Sequence, residues 1–243
     1  MLLSIGITAL VVIMVPSVSQ DLNYHDFEDK RSFLGITNFW NVVTNLPFLV
    51  FGITGFFKIQ KQKLTGVLPD LYKAYFAFFM GLVLTALGSA YYHLNPSNST
   101  LVGDRMGITI TFMSFFVLIF GESISTKTAS RLLVPLIFLG LASVVYWNIT
   151  ENLGIGDLRF YALIQFLPML MIPLMLLLYG SCLSGRRWIL TIILVYGLAK
   201  IAEMYDHQIY DLIGFSGHSL KHLIAAFGAF LFLKGLEVRK SIK

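Results

Sequence analysis

The sequence predicts an all-α membrane protein: a seven-transmembrane-helix bundle preceded by an additional N-terminal hydrophobic segment. Three observations predict it. Charged residues make up 13% of the chain, about half of the roughly 25% usual in soluble domains. Mean hydropathy is +0.76, with 56% hydrophobic residues. Apolar runs near the length of a membrane span recur from end to end, separated by turn-forming residues.

A helical span needs about 20 mostly apolar residues. The first such run covers residues 35–57 and is closed by Gly66 and Pro69. The second, 72–93, stops at Asn95-Pro96-Ser97-Asn98, and the third follows at 106–124. The fourth, 132–150, ends before Gly154 and Gly156. The fifth, 160–180, carries Pro168 and Pro173, which membrane helices tolerate with a kink. Gly185 separates it from the sixth, 188–205; Gly214 and Gly217 precede the seventh, 217–235. An eighth apolar stretch, residues 2–16, is short and ends at Pro16. It reads equally as a signal peptide cleaved near Val18-Ser19-Gln20, though without a basic n-region, or as an extra helix. The expected organisation is therefore a hydrophobic segment (1–20), an acidic outer segment (21–34), a seven-helix catalytic membrane domain (35–235) and a basic cytoplasmic tail (236–243). There is no internal repeat, low-complexity tract or soluble domain.

Basic loops stay in the cytoplasm. Lys58, Lys61, Lys63, Lys73, Lys127 and Arg131 fall on one side, as do Arg186, Arg187, Lys234, Arg239, Lys240 and Lys243. The other side holds Lys30, Arg31, Arg105, Arg159, Lys200 and Lys221, and most of the acids. The C-terminus is thus expected inside and the segment before the first span outside. The net charge of +5 comes from these short loops, so no nucleic-acid partner is expected. The lone cysteine, Cys182, reads as a free thiol. It excludes an intrachain disulfide and a cysteine metal cluster, leaving His, Asp and Glu as metal ligands.

On this map several polar groups share one depth. The second span ends LTALGSAYYH, placing Ser89 and His93 near its outer end. The third opens at the same face with GDRMGITIT, placing Asp104 at its mouth. The seventh begins GHSLKHLIAAFGAF, placing His218 and His222 in its first turns. Residues four apart share a helix face, about 5–6 Å between Cβ atoms. His218 and His222 can therefore reach one metal ion together, with His93 from the neighbouring helix. Three neutral imidazoles leave one tetrahedral position open, the layout of a catalytic zinc site. Each piece has a plainer reading: Ser89 as a packing residue, Asp104 as a dipole-favoured helix start, the histidine pair as interfacial. Polar groups within membrane depth are functional hypotheses by default.

Ser89-Ala-Tyr-Tyr-His93, Asp104 eleven residues on, and His218-Ser-Leu-Lys-His222 together resemble the alkaline ceramidase family. That family belongs to a superfamily of seven-helix zinc hydrolases that also includes progestin and adiponectin receptors. NFWNVVTNLPF, from Asn38 to Phe48, is similar to the family's first helix. The resemblance covers about residues 24 to 235. It implies zinc held by His93, His218 and His222, and hydrolysis of the linear amide of a ceramide-like lipid to a fatty acid and a long-chain amine. Asp104 would be the general base and Ser89 would steady the oxyanion. The lipid substrate would come from the bilayer. The superfamily also offers a different class, a receptor or signalling protein with structural zinc. A hydrolase of another acylated lipid is a third reading. The Ser89–Asp104 pair favours an enzyme, because a structural site needs neither.

Animal members of the family also carry calcium. The stretch DFEDKR offers Asp26, Glu28 and Asp29, with Asn38 standing where the family has a Glu; a solvated acidic segment explains the acids equally well. EMYDHQIYD, from Glu203 to Asp211, reads as a polar outer loop that could alternatively shape the pocket mouth or bind a polar headgroup. Lys221, about 100° around the helix from His222, is expected to snorkel outward, with a role in drawing in an anionic substrate as the minor alternative. Asn98 and Asn148 begin N-x-Thr sequons on the outer side.

Overall fold

The computed structural model describes residues 14–242. Most of the 1–20 segment therefore lies outside the described residues. The chain is 75% helical, with no strand among the described residues.

Asn38 has a left-handed backbone (φ 47°), and α1 (Phe39–Val43) follows it. The helix breaks at Thr44-Asn45 and resumes as α2 (Leu46–Gln60). Pro47 explains the break, since it has no N–H to continue the ladder. The other helices are α3 (Tyr72–Leu94), α4 (Asn98–Ser123), α5 (Thr126–Asn152), α6 (Arg159–Leu178), α7 (Arg187–Met204), α8 (Asp206–Ile213) and α9 (Gly217–Val238). Ser97 opens α4 with a reciprocal capping box to Thr100, and Ser125 caps α5. Among the described residues six segments are long and apolar enough to cross a membrane; α7 and α8, bent by 80° at Tyr205, make a seventh if taken as one broken span. Val134, Phe138, Leu177 and Leu178 are exposed, as lipid-facing residues are.

The centre of the bundle is the antiparallel pair α3 and α4. Glycines let the two backbones touch. A Cβ on Gly88 would stand 2.4 Å from the Gly103 carbonyl oxygen, and one on Gly107 would stand 2.4 Å from the Thr85 nitrogen. Without a hydrophobic driving force between helices in lipid, this kind of close approach through small residues is what packs them. It sets Ser89 and Asp104, each next to a contact glycine, at one level. Below them Phe78 and Phe115 close on Phe232 of α9, with ring centroids 4.5 and 6.0 Å apart for Phe78–Phe232 and Phe78–Phe115.

The far end is tied differently. Arg239 and Glu122 form a buried bidentate ion pair, and Arg239 Nε donates to the Ser184 carbonyl at 2.9 Å. Leu183 and Ser241 form an antiparallel bridge. Arg239 and Ser241, in the basic tail, are therefore tied to the α6–α7 turn. Both sequons are built into helices. The Asn98 amide oxygen lies 2.9 Å from His25 Nε2, and the Thr100 hydroxyl donates to the Asn95 carbonyl at 2.8 Å. Asn148 lies within α5, where the Thr150 hydroxyl donates to the Trp147 carbonyl at 2.9 Å.

Candidate metal and hydrolytic site

The residues singled out by spacing meet at one end of the bundle, where α3 finishes and α4 and α9 begin. His93 occupies the last turn of α3, and His218 and His222 the first turns of α9. All three are buried, and one ligand atom from each lies within 4.8 Å of the other two. Their ring centroids are 4.9 to 5.0 Å apart. Among the described residues this is the group of His, Cys, Asp or Glu able to hold a metal ion.

The surroundings orient each ring. The Ser216 hydroxyl caps α9, accepting from the His218 and Ser219 amides at 3.0 and 3.2 Å. Asp206 Oδ1 accepts from that hydroxyl at 2.6 Å and from the His218 amide at 2.9 Å. Phe27 packs on His93 and His218 at 4.7 and 4.6 Å between centroids. The Asn38 amide donates to the His93 carbonyl at 2.9 Å, and Thr37 donates to the Leu94 carbonyl at 2.9 Å, so the N-terminal segment closes the end of α3. The Thr44 hydroxyl donates to the Trp40 carbonyl at 2.6 Å. At His222 Nδ1, 3.0 Å away, it must then act as acceptor. That places the His222 proton on Nδ1 and leaves Nε2 with a lone pair for a ligand. His93 Nδ1 is buried and has no partner. A buried orphan nitrogen is costly, and a cation beside it would remove the cost. Three neutral nitrogen donors of this kind suit zinc.

Ser89 and Asp104 are both buried beside this cluster, on facing turns of α3 and α4. Both line a cavity of about 380 Å³ that His222 also lines. The cavity is polar at the histidine end and apolar beyond it, down to Phe78, Phe115 and Phe232.

Two expectations change. Lys221 does not snorkel outward. Its ammonium lies 2.9 Å from Glu203 Oε1 and 3.0 Å from His218 Nε2 and faces the cavity, because a partly buried carboxylate on the neighbouring helix offers more than the interface does. Glu203 is not a loop residue: it ends α7, lines the cavity, and also pairs with Lys200 and accepts from the Tyr24 hydroxyl. The rest of that stretch forms α8. Of the calcium candidates, Asp26 pairs with Lys30, Glu28 with His207, and Asn38 donates its amide nitrogen to the His93 carbonyl. The sequence reading also missed Thr44, Lys200 and Arg105. Thr44 had a signal, four residues after Trp40 in the first-helix motif; nothing local marked the others.

The family model described as Ceramidase matches residues 32–242, which takes in every residue of the cluster. A comparison with curated proteins finds no match.

Proposed function

The chain belongs to the ceramidase family, and from that premise we propose that it is a zinc-dependent intramembrane hydrolase that cleaves the amide of ceramide-like lipids. The observation that carries this reading is a buried three-histidine cluster that reaches, through His222, the cavity lined by Ser89 and Asp104. His93, His218 and His222 would hold the zinc. When bound, zinc supplies Lewis acidity, polarising a carbonyl and acidifying water.

The chain's own residues do the rest. Asp104 takes the proton of the attacking water and returns one to the departing amine. The Ser89 hydroxyl donates to the carbonyl oxygen as charge develops there. Thr44 and Phe27 keep His222 and His218 in place. The net change is amide plus water to carboxylic acid plus amine. The apolar length of the cavity takes the acyl chain; each CH₂ kept from water is worth about 0.8 kcal/mol. From His222 to Phe232 is ten residues of α9, about 15 Å at 1.5 Å per residue. Entry is lateral, between α6 and α7, which pack little on each other and are bridged by Gln165 donating to the Tyr196 hydroxyl at 3.1 Å. The basic-residue count puts the C-terminus in the cytoplasm and the site near the outer face.

The test is release of fatty acid from a panel of lipid amides by zinc-loaded, detergent-purified protein. Full zinc occupancy with no turnover on any of them would overturn the hydrolase reading in favour of a receptor with structural zinc.

A further inference from the structure

The polar end of the cavity carries more charge than a neutral amide needs. Five charged side chains line it: Asp104, Arg105, Lys200, Glu203 and Lys221. That is three cations against two carboxylates. Charge within a membrane span is costly and is kept where it is paired or functional. Glu203 serves both lysines at once. Arg105 is buried, stacked over Trp147 and Tyr161 at 3.9 and 4.6 Å. It donates to the neutral Gln20 side chain, and its Nη1 has no partner. At the other end of the bundle Arg239 is matched one to one with Glu122. Among the side chains that line the cavity, cations thus outnumber carboxylates by one, with Glu151 standing behind Arg105, where it accepts from the Gln20 amide and from Trp147 Nε1, and a divalent cation on the histidines would add to the positive side.

Building on the hydrolase reading, we infer that this end of the cavity is an anion subsite, in which Lys200, backed by Lys221, receives the carboxylate or phosphate of an acidic headgroup on the nitrogen side of the lipid amide. Lys200 is the accessible member: its side chain is 34% exposed, against 18% for Lys221. Its ammonium lies 5.9 Å from the Phe166 ring centroid on α6, at the seam between α6 and α7. A lipid entering there meets Lys200 with its headgroup while its acyl chain passes inward. Glu203 holds both ammonium groups in place beforehand, so little ordering remains to be done on binding. Low surrounding polarity strengthens the attraction, and opposite charge across a contact confers selectivity.

The test compares two lipids of equal acyl chain, an N-acylglycine and the matching N-acylethanolamine, which differ in carboxylate against alcohol. The ratio of their kcat/KM values is expected to favour the acid by about tenfold or more, the scale of one well-placed polar contact. In Lys200→Met the ratio collapses toward one, and in Lys200→Arg it is restored. Equilibrium binding of the same pair to zinc-loaded Asp104→Asn protein reads the subsite whether or not either lipid is cleaved. Equal affinities there, or a ratio untouched by Lys200→Met, would overturn the subsite. Cleavage without headgroup preference sinks the subsite alone; selective binding without cleavage by the parent protein sinks the hydrolase reading and leaves the subsite standing. Product inhibition by free fatty acid that is relieved in Lys200→Met, with the headgroup ratio unchanged, would assign the lysine to the released acid and overturn the headgroup assignment.

Discussion

The Thr44 hydroxyl stands 3.0 Å from Nδ1 of His222 while giving its own proton to the Trp40 carbonyl. A helix break thus sets the tautomer of a candidate metal ligand on another helix. Partners of this kind typically carry about 10- to 100-fold in metal affinity. Thr44→Val keeps the side chain's shape and removes the acceptor, so zinc affinity should fall by that order. Competition against a chelator of known affinity measures it; an unchanged affinity would mean that packing alone orients the ring.

Removing a ligand and removing a base should separate cleanly. His222→Ala is expected to lose most bound zinc. Asp104→Asn is expected to keep zinc and lose turnover by about 10²- to 10⁴-fold, the usual size of general acid–base catalysis. Metal analysis and fatty-acid release on the same samples decide it, and parental activity in the Asp104 variant would refute the assigned base.

The contact between α3 and α4 leaves no room at Gly88. Gly88→Ala is expected to destabilise the protein by about 1–3 kcal/mol, the range for overpacking, and to lower activity by parting Ser89 from Asp104. Gly197 is the matched control, since a Cβ there meets nothing within 4 Å. Gly197→Ala should be neutral or stabilising by up to about 1 kcal/mol. Thermal unfolding in detergent should order the variants accordingly; equal melting temperatures would contradict the close crossing.

Breaking the Glu122–Arg239 pair should be worse than removing it. Either single change, Glu122→Leu or Arg239→Met, leaves a buried charge alone and should cost about 3–5 kcal/mol. The double variant should recover much of that loss. A double-mutant cycle by thermal or denaturant unfolding measures the coupling, and additive losses would rule it out.

The helices were legible because hydropathy and turn residues are local signals. The His-x3-His and Ser-x3-His spacings were legible because i and i+4 share a face whatever lies opposite. What lies opposite was not legible. Lys221 read as a snorkelling side chain because nothing near it in sequence offers a counter-charge; Glu203, eighteen positions earlier, reaches it only after α8 folds back. Pro47 was visible, but the break it causes points Thr44 at His222 across 178 positions. Arg105 could be counted, yet its aromatic bed comes from α5 and α6. Spacing names the face of a helix, and only packing names the neighbour.

The engagement of Asn98 with His25, and of Thr100 and Thr150 with backbone carbonyls, bears on how sidedness can be mapped. An oligosaccharide-transferring enzyme needs its acceptor asparagine in extended, pliable chain, and both native acceptors are locked in helical turns. Absence of sugar on the wild-type chain would therefore say nothing about which compartment those residues face. An acceptor introduced in the exposed turn at 153–155, at the histidine end, would report instead: the basic-residue count forecasts that it gains sugar, while one at 61–63, at the other end, stays bare.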